Sequence, residues 1–349
     1  MIRRGTVLVA ATLLALILAA LLTFGAPRGS DAATCVARVP EGGNLARIAE
    51  NKTGPCTFVV DDGGAKNAGE NVLLQDGDTV RPETMGGPRA EIDGQGAAKV
   101  IVSDGEVRLE GVRVVGSSGN DACAPGCALG VQVRSGRTVL DGVASNGHPN
   151  MGVSVSRGAV ARFEGGEYHN NGSANFTRND PDQEQGEYKG SAAGVKVLGR
   201  AVFRGEGRVT GSYWNGIWCD NSRAPGDDRW VRGTIDVRGW TFSGNAKNGI
   251  QNEGCVDSLI EDNRFLGNGR SMALEGYGCP NICGNLAVMV SRDTLVRGNL
   301  FRRTKVEYTN VWGNKPFPTG GNRIVWNTLR DGARVVGCAR EGVTCRGNG

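Results

Sequence analysis

Short apolar-x-apolar triplets, each preceded by a small residue, recur along the chain and dominate its hydrophobic pattern. Five copies begin with glycine and a sixth begins with serine, and they occupy 130–133, 152–155, 194–197, 216–219, 249–252 and 271–274. Three of the steps between copies, from 130 to 152, from 194 to 216 and from 249 to 271, are 22 residues long. The other two steps, of 42 and 33 residues, predict insertions between otherwise regular coils.

A second apolar strand follows about ten residues after the triplet in the uninterrupted coils. Alternation within a triplet predicts that Val131 and Val133 point inward and that Gln132 points outward. Asn-Gly and Gly-Asn pairs close many coils, and both residue types are expected to supply the positive φ of these turns. Copies of the second strand include Val139–Gly142, Val202–Gly205, Leu259–Asp262 and Leu295–Gly298.

A period near 22 residues with two or three short strands per period is typical of a solenoid. A leucine-rich repeat has a similar length but requires regularly spaced leucines, which are sparse here. A β-propeller requires longer periods with four strands per blade. Because one coil alone buries too little apolar surface, the coils must stack on one another. The pattern therefore predicts an all-β fold, a single-stranded right-handed parallel β-helix.

The N-terminal segment, 1–33, has the pattern of a signal peptide or membrane anchor. Arg3 and Arg4 precede an apolar run over 7–24, and Ser30–Ala32 offers a small-x-small cleavage site. The run is typical of an export signal and is just long enough to span a bilayer. We expect a secreted protein, or one held outside the membrane by an uncleaved anchor that is its only membrane contact.

Three further segments complete the predicted organisation. Residues 34–90 are predicted to form an N-terminal cap with the first strands, and Asn44–Glu50 has the spacing of a short amphipathic helix. Residues 91–330 are predicted to form the β-helix, and 331–349 a C-terminal end closed by a disulfide.

Ten cysteines in an exported chain favour disulfides. They fall into pairs that are close in sequence, which predicts the bonds Cys35–Cys56, Cys123–Cys127, Cys219–Cys255, Cys279–Cys283 and Cys338–Cys345. Zinc is the alternative for the two short spacings, but the chain has only two histidines, His148 and His169, to complete such a site. Both histidines lie near turns and are predicted to be surface residues.

Composition and charge restrict the class of partner. The 56 glycines follow no Gly-X-Y period, which excludes collagen. The net charge of +4 is spread along the chain without a basic stripe interleaved with aromatic residues. Nucleic acid is therefore not expected as a partner.

Two segments, Gly216–Asp220 and Leu259–Gly269, resemble the right-handed β-helix repeat family of the pectate-lyase-like superfamily. The resemblance covers roughly 90–330 and implies the fold. Family members include pectate lyases, polygalacturonases, alginate and chondroitin lyases, mannuronan epimerases, phage tailspikes and non-enzymatic surface proteins, so fold does not decide activity. The Asp-Pro-His-Glu motif of the epimerases is absent, because Asp182 stands where the histidine would be in Asp180–Asp182. The Trp-Ile-Asp-His motif of pectate lyases is also absent.

The resemblance implies that a ligand lies along an outward face between inserted loops. The residues that follow the triplets include Asp220, Glu253 and Glu275, which the 22-residue period places on three successive coils. Strands about 4.8 Å apart would bring Asp220 and Glu253 to a separation that suits a retaining glycosidase, and Asp220 and Glu275 to about twice that separation, which suits an inverting one. The three acids are therefore candidate catalytic residues. Close carboxylates also raise one another's pKa or bind Ca²⁺, so Asp220 and Glu253 are a candidate calcium site.

A second outward column contains the other candidate residues. It comprises Gln132, Ser154, Lys196, Trp218, Gln251 and Ala273. Lys196 is a candidate to neutralise a uronate or to act as a base, and Trp218 is a candidate platform for a sugar ring. Gln251 is a candidate substrate ligand.

The two insertions, Gly172–Gly190 and Asn221–Trp230, provide three more candidate substrate ligands, Tyr188, Lys189 and Arg223. Two functions follow from these residues. One is an extracellular lyase or hydrolase that acts on a polysaccharide containing uronic acid. The other is a non-catalytic glycan-binding or structural module of the cell surface.

Overall fold

The computed structural model describes residues 35–118, 127–173, 192–223, 230–269, 283–312, 315–316 and 319–349. The predicted signal or anchor segment lies outside this part of the chain. Within it, no helix is long and apolar enough to cross a membrane.

The described elements are one short helix and many short strands. The helix is α1 (Leu45–Glu50). The first strands are β1 (Cys35–Val39), β2 (Cys56–Val60), β3 (Ala65–Lys66), β4 (Val72–Leu74), β5 (Thr79–Pro82), β6 (Ala90–Ala97), β7 (Lys99–Glu110), β8 (Val112–Ser117), β9 (Leu129–Asp141), β10 (Ala144–Asn146), β11 (Met151–Val155) and β12 (Val160–His169). The middle strands are β13 (Ala193–Val197), β14 (Arg200–Thr210), β15 (Asn215–Cys219), β16 (Asn221–Arg223), β17 (Trp230–Arg232), β18 (Thr234–Arg238), β19 (Thr241–Ser243), β20 (Asn248–Glu253), β21 (Leu259–Glu261) and β22 (Arg264–Leu266). The last strands are β23 (Gly284–Met289), β24 (Leu295–Arg297), β25 (Leu300–Arg302), β26 (Val306–Thr309), β27 (Val311–Trp312), β28 (Lys315–Pro316), β29 (Asn322–Val325), β30 (Thr328–Arg330), β31 (Val335–Val336) and β32 (Val343–Arg346).

Parallel pairing between coils arranges the strands in three stacks, and this confirms the predicted parallel β-helix. The first stack contains β4, the starts of β7 and β9, and then β11, β13, β15, β20, β23, β26 and β31. The second contains β1, β2, β5, the ends of β7 and β9 and the starts of β12 and β14, followed by β18, β21, β24, β29 and β32. The third contains β6, β8, β10, the ends of β12 and β14, and then β19, β22, β25 and β30.

The first stack confirms the predicted register over five coils. Val131, Val153, Val195, Ile217 and Ile250 pair in that order from coil to coil, and all five are fully buried. The sixth coil differs from the prediction, because β20 pairs with β23 rather than with 271–274. Glu253 therefore lies opposite Met289, and Glu275 falls outside the described residues. The serine-led copy, 271–274, lies outside the described residues.

Aromatic side chains stack along the core in the same way as the aliphatic ones. Phe163 and Phe203 are stacked with ring centroids 4.2 Å apart. Phe242, Phe265 and Phe301 form a separate row on the third stack, with successive centroids 4.9 and 4.7 Å apart. Offset stacking of this kind adds to the stabilisation that burial itself provides.

Several asparagines beside the turn glycines do not supply the positive φ that was predicted for them, but have buried side chains instead. The turn glycines, such as Gly244 and Gly269, have positive φ, whereas the neighbouring Asn245 and Asn268 have inward side chains that are fully or almost fully buried. A second row of asparagines forms a continuous ladder, in which Asn263, Asn299 and Asn327 each donate from Nδ2 to the Oδ1 of the next asparagine, ending at Asn348. The buried amides thus satisfy one another between coils.

Three disulfides connect described residues, and each is one of the predicted pairs: Cys35–Cys56, Cys219–Cys255 and Cys338–Cys345. Cys127 and Cys283 are also disulfide-bonded, but Cys123 and Cys279 lie outside the described residues. Disulfides are typical of proteins exported to an oxidising compartment.

The two histidines differ in burial, because His169 is half-buried whereas His148 lies in the core. His148, predicted to be a surface residue, is fully buried, and its ring nitrogens contact Ser117 Oγ and the Val114 carbonyl. Burial lowers the pKa of His148 to about 4, so the ring is neutral at physiological pH. His148 is therefore part of the core polar network.

Candidate functional site

The candidate residues meet on the first stack, where β13, β15 and β20 lie side by side. Lys196 pairs with Trp218, and Trp218 pairs with Gln251, so the three outward side chains form one column as predicted. Asp220 follows β15 directly, and its backbone N–H donates to the Val197 carbonyl of the preceding coil. The β-helix register therefore brings one cation, one aromatic ring and two amide or carboxylate groups together on consecutive coils.

Lys196 connects two of these residues. Its Nζ lies 2.5 Å from Asp220 Oδ2 and 3.1 Å from the centroid of the Trp218 ring. The Lys196 side chain is 4% exposed, whereas Asp220 is 21% exposed. Burial lowers the pKa of Lys196, although Asp220 favours the charged ammonium. Lys196 thus covers one face of the Trp218 ring, and Asp220 is the more accessible member of the salt bridge.

Glu253 is the buried acid of the cluster. Its Oε2 accepts hydrogen bonds from Trp218 Nε1 at 3.0 Å and from Gln251 Nε2 at 2.5 Å. Burial raises the pKa of the Glu253 carboxyl, and the negative charge of Asp220 raises it further. Glu253 is therefore held in one orientation by two donors, in an environment that favours its protonated form.

An amide network orients these donors. Asn248 Nδ2 donates to Gln251 Oε1 at 3.1 Å and to Asn215 Oδ1 at 3.2 Å. Asn248 Oδ1 accepts from the Gly284 backbone at 2.9 Å. Because rotation of the Gln251 amide would break the hydrogen bond from Asn248, the network fixes the N–H group that Gln251 donates to Glu253.

Lys247 is a functional candidate that the sequence reasoning missed. It lies just before β20, is 5% exposed, and places its Nζ 4.5 Å from the centroid of the Trp214 ring. Burial lowers the pKa of Lys247 to about 8, while Glu253 favours the charged form and Lys196 opposes it. A turn lysine gives no periodic signal, but Lys247 precedes the Asn248–Gly249 start of a strand and could have been found from that position.

The cluster combines groups that acid–base chemistry requires. An amine whose pKa is near 8 can accept a proton close to neutral pH, and a carboxyl of raised pKa can donate one. Opposite shifts on neighbouring titratable groups are characteristic of functional sites.

Several predicted residues are not brought into this cluster by the described structure. Glu275, Tyr188 and Lys189 lie outside the described residues. Arg223 ends β16, which pairs antiparallel with β17, but its side chain is not among those described.

Both carboxylates of the predicted calcium site already have hydrogen-bonding or charged partners. Asp220 Oδ2 contacts Lys196, and Glu253 Oε2 accepts two N–H donors. In the described part of the chain, no group of three or more His, Cys, Asp or Glu side chains is arranged to hold a metal ion. A cation bridging Asp220 and Glu253 would have to compete with Lys196, so calcium remains a prediction.

Two solved structures share the architecture. The alginate lyase from Paenibacillus sp. str. FPU-7 superposes with a TM-score of 0.54 at 14% identity, covering 89% of this chain and 97% of the lyase. The Dettilon tailspike protein gp208 superposes with a TM-score of 0.55 at 13% identity, covering 84% of this chain and 60% of the tailspike. The chain has the fold of parallel β-helix proteins. No family model and no curated protein matches it by sequence.

Proposed function

We propose that the protein is an extracellular polysaccharide-interacting β-helix protein that cleaves a uronate-containing polysaccharide by β-elimination. The observation that carries the proposal is the cluster of Lys247, Glu253, Lys196 and Asp220 beside Trp218. It combines a base of lowered pKa with an acid of raised pKa on a rigid stack of strands. The alginate lyase with the same fold supports a polysaccharide as the substrate class.

In this mechanism the neutral amine of Lys247 removes the proton on the carbon next to the uronate carboxylate. The electron pair forms a carbon–carbon double bond as the glycosidic carbon–oxygen bond breaks. Protonated Glu253 then donates its proton to the departing oxygen. The proton lost from the sugar carbon passes to Lys247 and the leaving oxygen takes its proton from Glu253, so no external oxidant or reductant is needed.

Positive charge and an aromatic surface would position the substrate. The Lys196 ammonium would offset the negative charge that develops at the uronate carboxylate. Trp218 is half-buried, with Lys196 against its ring, and its exposed part would contact a sugar ring. Asp220 would hold Lys196 in place.

Non-catalytic glycan binding is the second candidate, and the burial of the cluster favours it. Lys196, Lys247, Gln251 and Glu253 are all at most 8% exposed. Charges that satisfy one another beneath the surface would leave Trp218 and Asp220 as the accessible contacts for a bound glycan.

A polysaccharide panel tests the proposal directly. The protein is incubated with alginate, polygalacturonate and neutral dextran, and the absorbance of unsaturated products and the number of reducing ends are both measured, with added calcium and with a chelator. We expect unsaturated products from an acidic polysaccharide and none from dextran. Reducing ends without unsaturated products would indicate hydrolysis and contradict β-elimination.

Matched variants assign the chemistry to residues. Lys247→Met and Glu253→Gln should each reduce cleavage by about 10²-fold or more, as is typical for loss of a general acid or base. Lys305→Met is the control, because Lys305 pairs with Glu307 at 2.7 Å two coils further along the stack. Unchanged cleavage in both site variants would refute the site. Binding without cleavage that requires Trp218 would support the second candidate.

A further inference from the structure

A polar groove lies on the third stack, remote from the candidate site on the first stack. It encloses a cavity of about 350 Å³ between the ends of β12 and β14 and the strands β19 and β22. Its polar lining comes mainly from Arg89, Glu167, Glu206, Arg208, Thr241 and Arg264. The strand register places Arg208, Thr241 and Arg264 on three successive coils. Two arginines thus flank a short hydroxyl side chain, about 10 Å apart along the stack.

Glycines form one wall of the groove, and core packing explains why they are there. A Cβ on Gly207 would lie 2.5 Å from the Trp240 ring, and a Cβ on Gly166 would lie 2.3 Å from the Val143 carbonyl. Both positions therefore require glycine, and these two residues contribute only backbone atoms to the lining of the groove. Tyr168 Oη is fully buried behind Gly166, 3.3 Å from that Cβ position, and it has no hydrogen-bond partner among the described residues.

The charges of the groove are unevenly paired. Arg89 donates to Glu167 Oε2 at 3.0 Å and to the Gly142 carbonyl at 2.8 Å, so this arginine and this acid are already matched. Arg208 and Arg264 are exposed and form no salt bridge with any residue in the described ranges. Glu206 is the remaining acid, so the groove carries a surplus of positive charge that is concentrated on Arg208 and Arg264.

We propose that this groove is a second glycan site, which binds the carboxylate or sulfate groups of an acidic polysaccharide between Arg208 and Arg264. Guanidinium groups bind such anions through paired N–H donors, and the Thr241 hydroxyl between them offers a further hydrogen bond. The assignment of the ligand as a polysaccharide rests on the proposed function. The groove would hold a polymer on the protein without contributing to its cleavage.

The chain contains a matched control for this pair of arginines. Arg137 and Arg200 are exposed and flank Val160 in the same column, again with one residue between them. The doubles Arg208→Gln/Arg264→Gln and Arg137→Gln/Arg200→Gln therefore remove the same charge at the same spacing. Neither pair belongs to the candidate catalytic cluster.

The experiment measures binding of polygalacturonate, heparin, dextran and inorganic sulfate by calorimetry, with all variants made in the full chain carrying Lys247→Met. We expect the Arg208/Arg264 double to lose at least tenfold in affinity for an acidic polymer and the Arg137/Arg200 double to lose less than twofold. Equal losses would show that only net charge matters and would overturn the proposal, as would no loss in either double. Inorganic sulfate that binds as tightly as the polymers would overturn the polysaccharide assignment.

A cleavage assay separates this proposal from the proposed function. The Arg208/Arg264 double with native Lys247 should cleave a short oligosaccharide at the rate of the unmodified protein. If the unmodified protein forms no unsaturated product while the groove still distinguishes the two doubles, the proposed function fails and the second site stands. A loss of short-substrate cleavage in the double would contradict a site separate from the chemistry.

Discussion

Lys196 and Asp220 form a salt bridge between neighbouring coils, with Nζ and Oδ2 2.5 Å apart and the ammonium lying against Trp218. The lysine is almost fully buried, so removing its partner leaves a buried charge without its salt bridge. Such a pair is costly to break from one side even where it adds little net stability. The link therefore couples the geometry of β13 to that of β15.

The effects of substituting Lys196 and Asp220 on the free energy of unfolding should be strongly non-additive. Asp220→Asn and Lys196→Met are each expected to lower the free energy of unfolding by about 2 kcal/mol, because one removes a charged acceptor and the other a buried donor. The double variant should lose about 2 kcal/mol less than the sum of the single losses, because neither partner is then left unpaired. Denaturant unfolding measures all four corners of this cycle, and additive losses would contradict a direct interaction.

Lys247 should make stability depend on alkaline pH. Its pKa is about 8 in the folded state, below its ordinary value of 10.5, because of burial. Above pH 10.5 the amine of Lys247 is neutral in both states and costs no folding free energy. As the pH falls from 10.5 the unfolded chain binds the proton first, so the free energy of unfolding decreases until the folded protein is also protonated below about pH 8. The free energy of unfolding relative to Lys247→Met should therefore fall by about 3 kcal/mol at most between these limits.

The control for this titration is Lys66→Met, since Lys66 is exposed. The free energy of unfolding of Lys66→Met should differ from that of the unmodified protein by the same amount at every pH in this range. A flat profile for Lys247→Met as well would show that Lys247 is charged in the folded protein and would exclude it as a base. If the protein cleaves a glycan, the rate should rise with pH through about 8 as Lys247 loses its proton.

The asparagine ladder should contribute strongly to stability. Asn299 donates to the Ile260 and Arg297 carbonyls and to Asn327 Oδ1, and accepts from Asn263. Asn299→Ala should cost about 3 kcal/mol, because several buried groups lose their partners at once. Asn51→Ala, at an exposed amide that caps α1 through the Arg47 carbonyl, should cost below about 1 kcal/mol. Thermal unfolding distinguishes the two, and equal losses would contradict the ladder as a stabilising element.

The disulfides should differ in their contributions. Cys219–Cys255 joins residues 36 apart and follows the site column directly, whereas Cys338–Cys345 joins residues 7 apart near the C-terminal end. Replacing both cysteines by serine should cost about 4 kcal/mol for the longer loop and about 2 kcal/mol for the shorter one. Only the first replacement should also change the near-UV signal of Trp218. A larger loss for the C-terminal pair would contradict the loop-length argument.

Much of the fold could be predicted from the sequence because burial imposes a visible period. Val131, Val153 and Val195 repeat a position that only stacking explains, and their register is confirmed. The sixth coil was assigned wrongly, because the 22-residue step leads to 271–274 whereas β20 pairs with β23. The pairing between β20 and β23 begins at Asn248, whose Oδ1 accepts from the Gly284 backbone N–H, a polar contact that no apolar pattern reveals.

The candidate site was harder to predict than the core. Lys196, Trp218 and Gln251 were found because they share the outward position of a regular triplet. Their burial was not predictable, because alternation separates inward from outward without saying what covers the outward side. Lys247 was missed because turn residues follow no period, and its altered pKa depends on packing around Trp214.

The stack of strands that carries Lys196, Trp218 and Gln251 also sets a scale for recognition. Successive coils are about 4.8 Å apart, so the column holds one side chain per step along the axis, and of these three Trp218 is the accessible one. A glycan lying along this face would contact one coil directly at Trp218, while the buried Lys196 and Gln251 of the neighbouring coils would act on it through the groups that they hold in place. Exchange of Trp218 would then alter selectivity at one position of the polymer while the core of valines and asparagine ladders stayed intact.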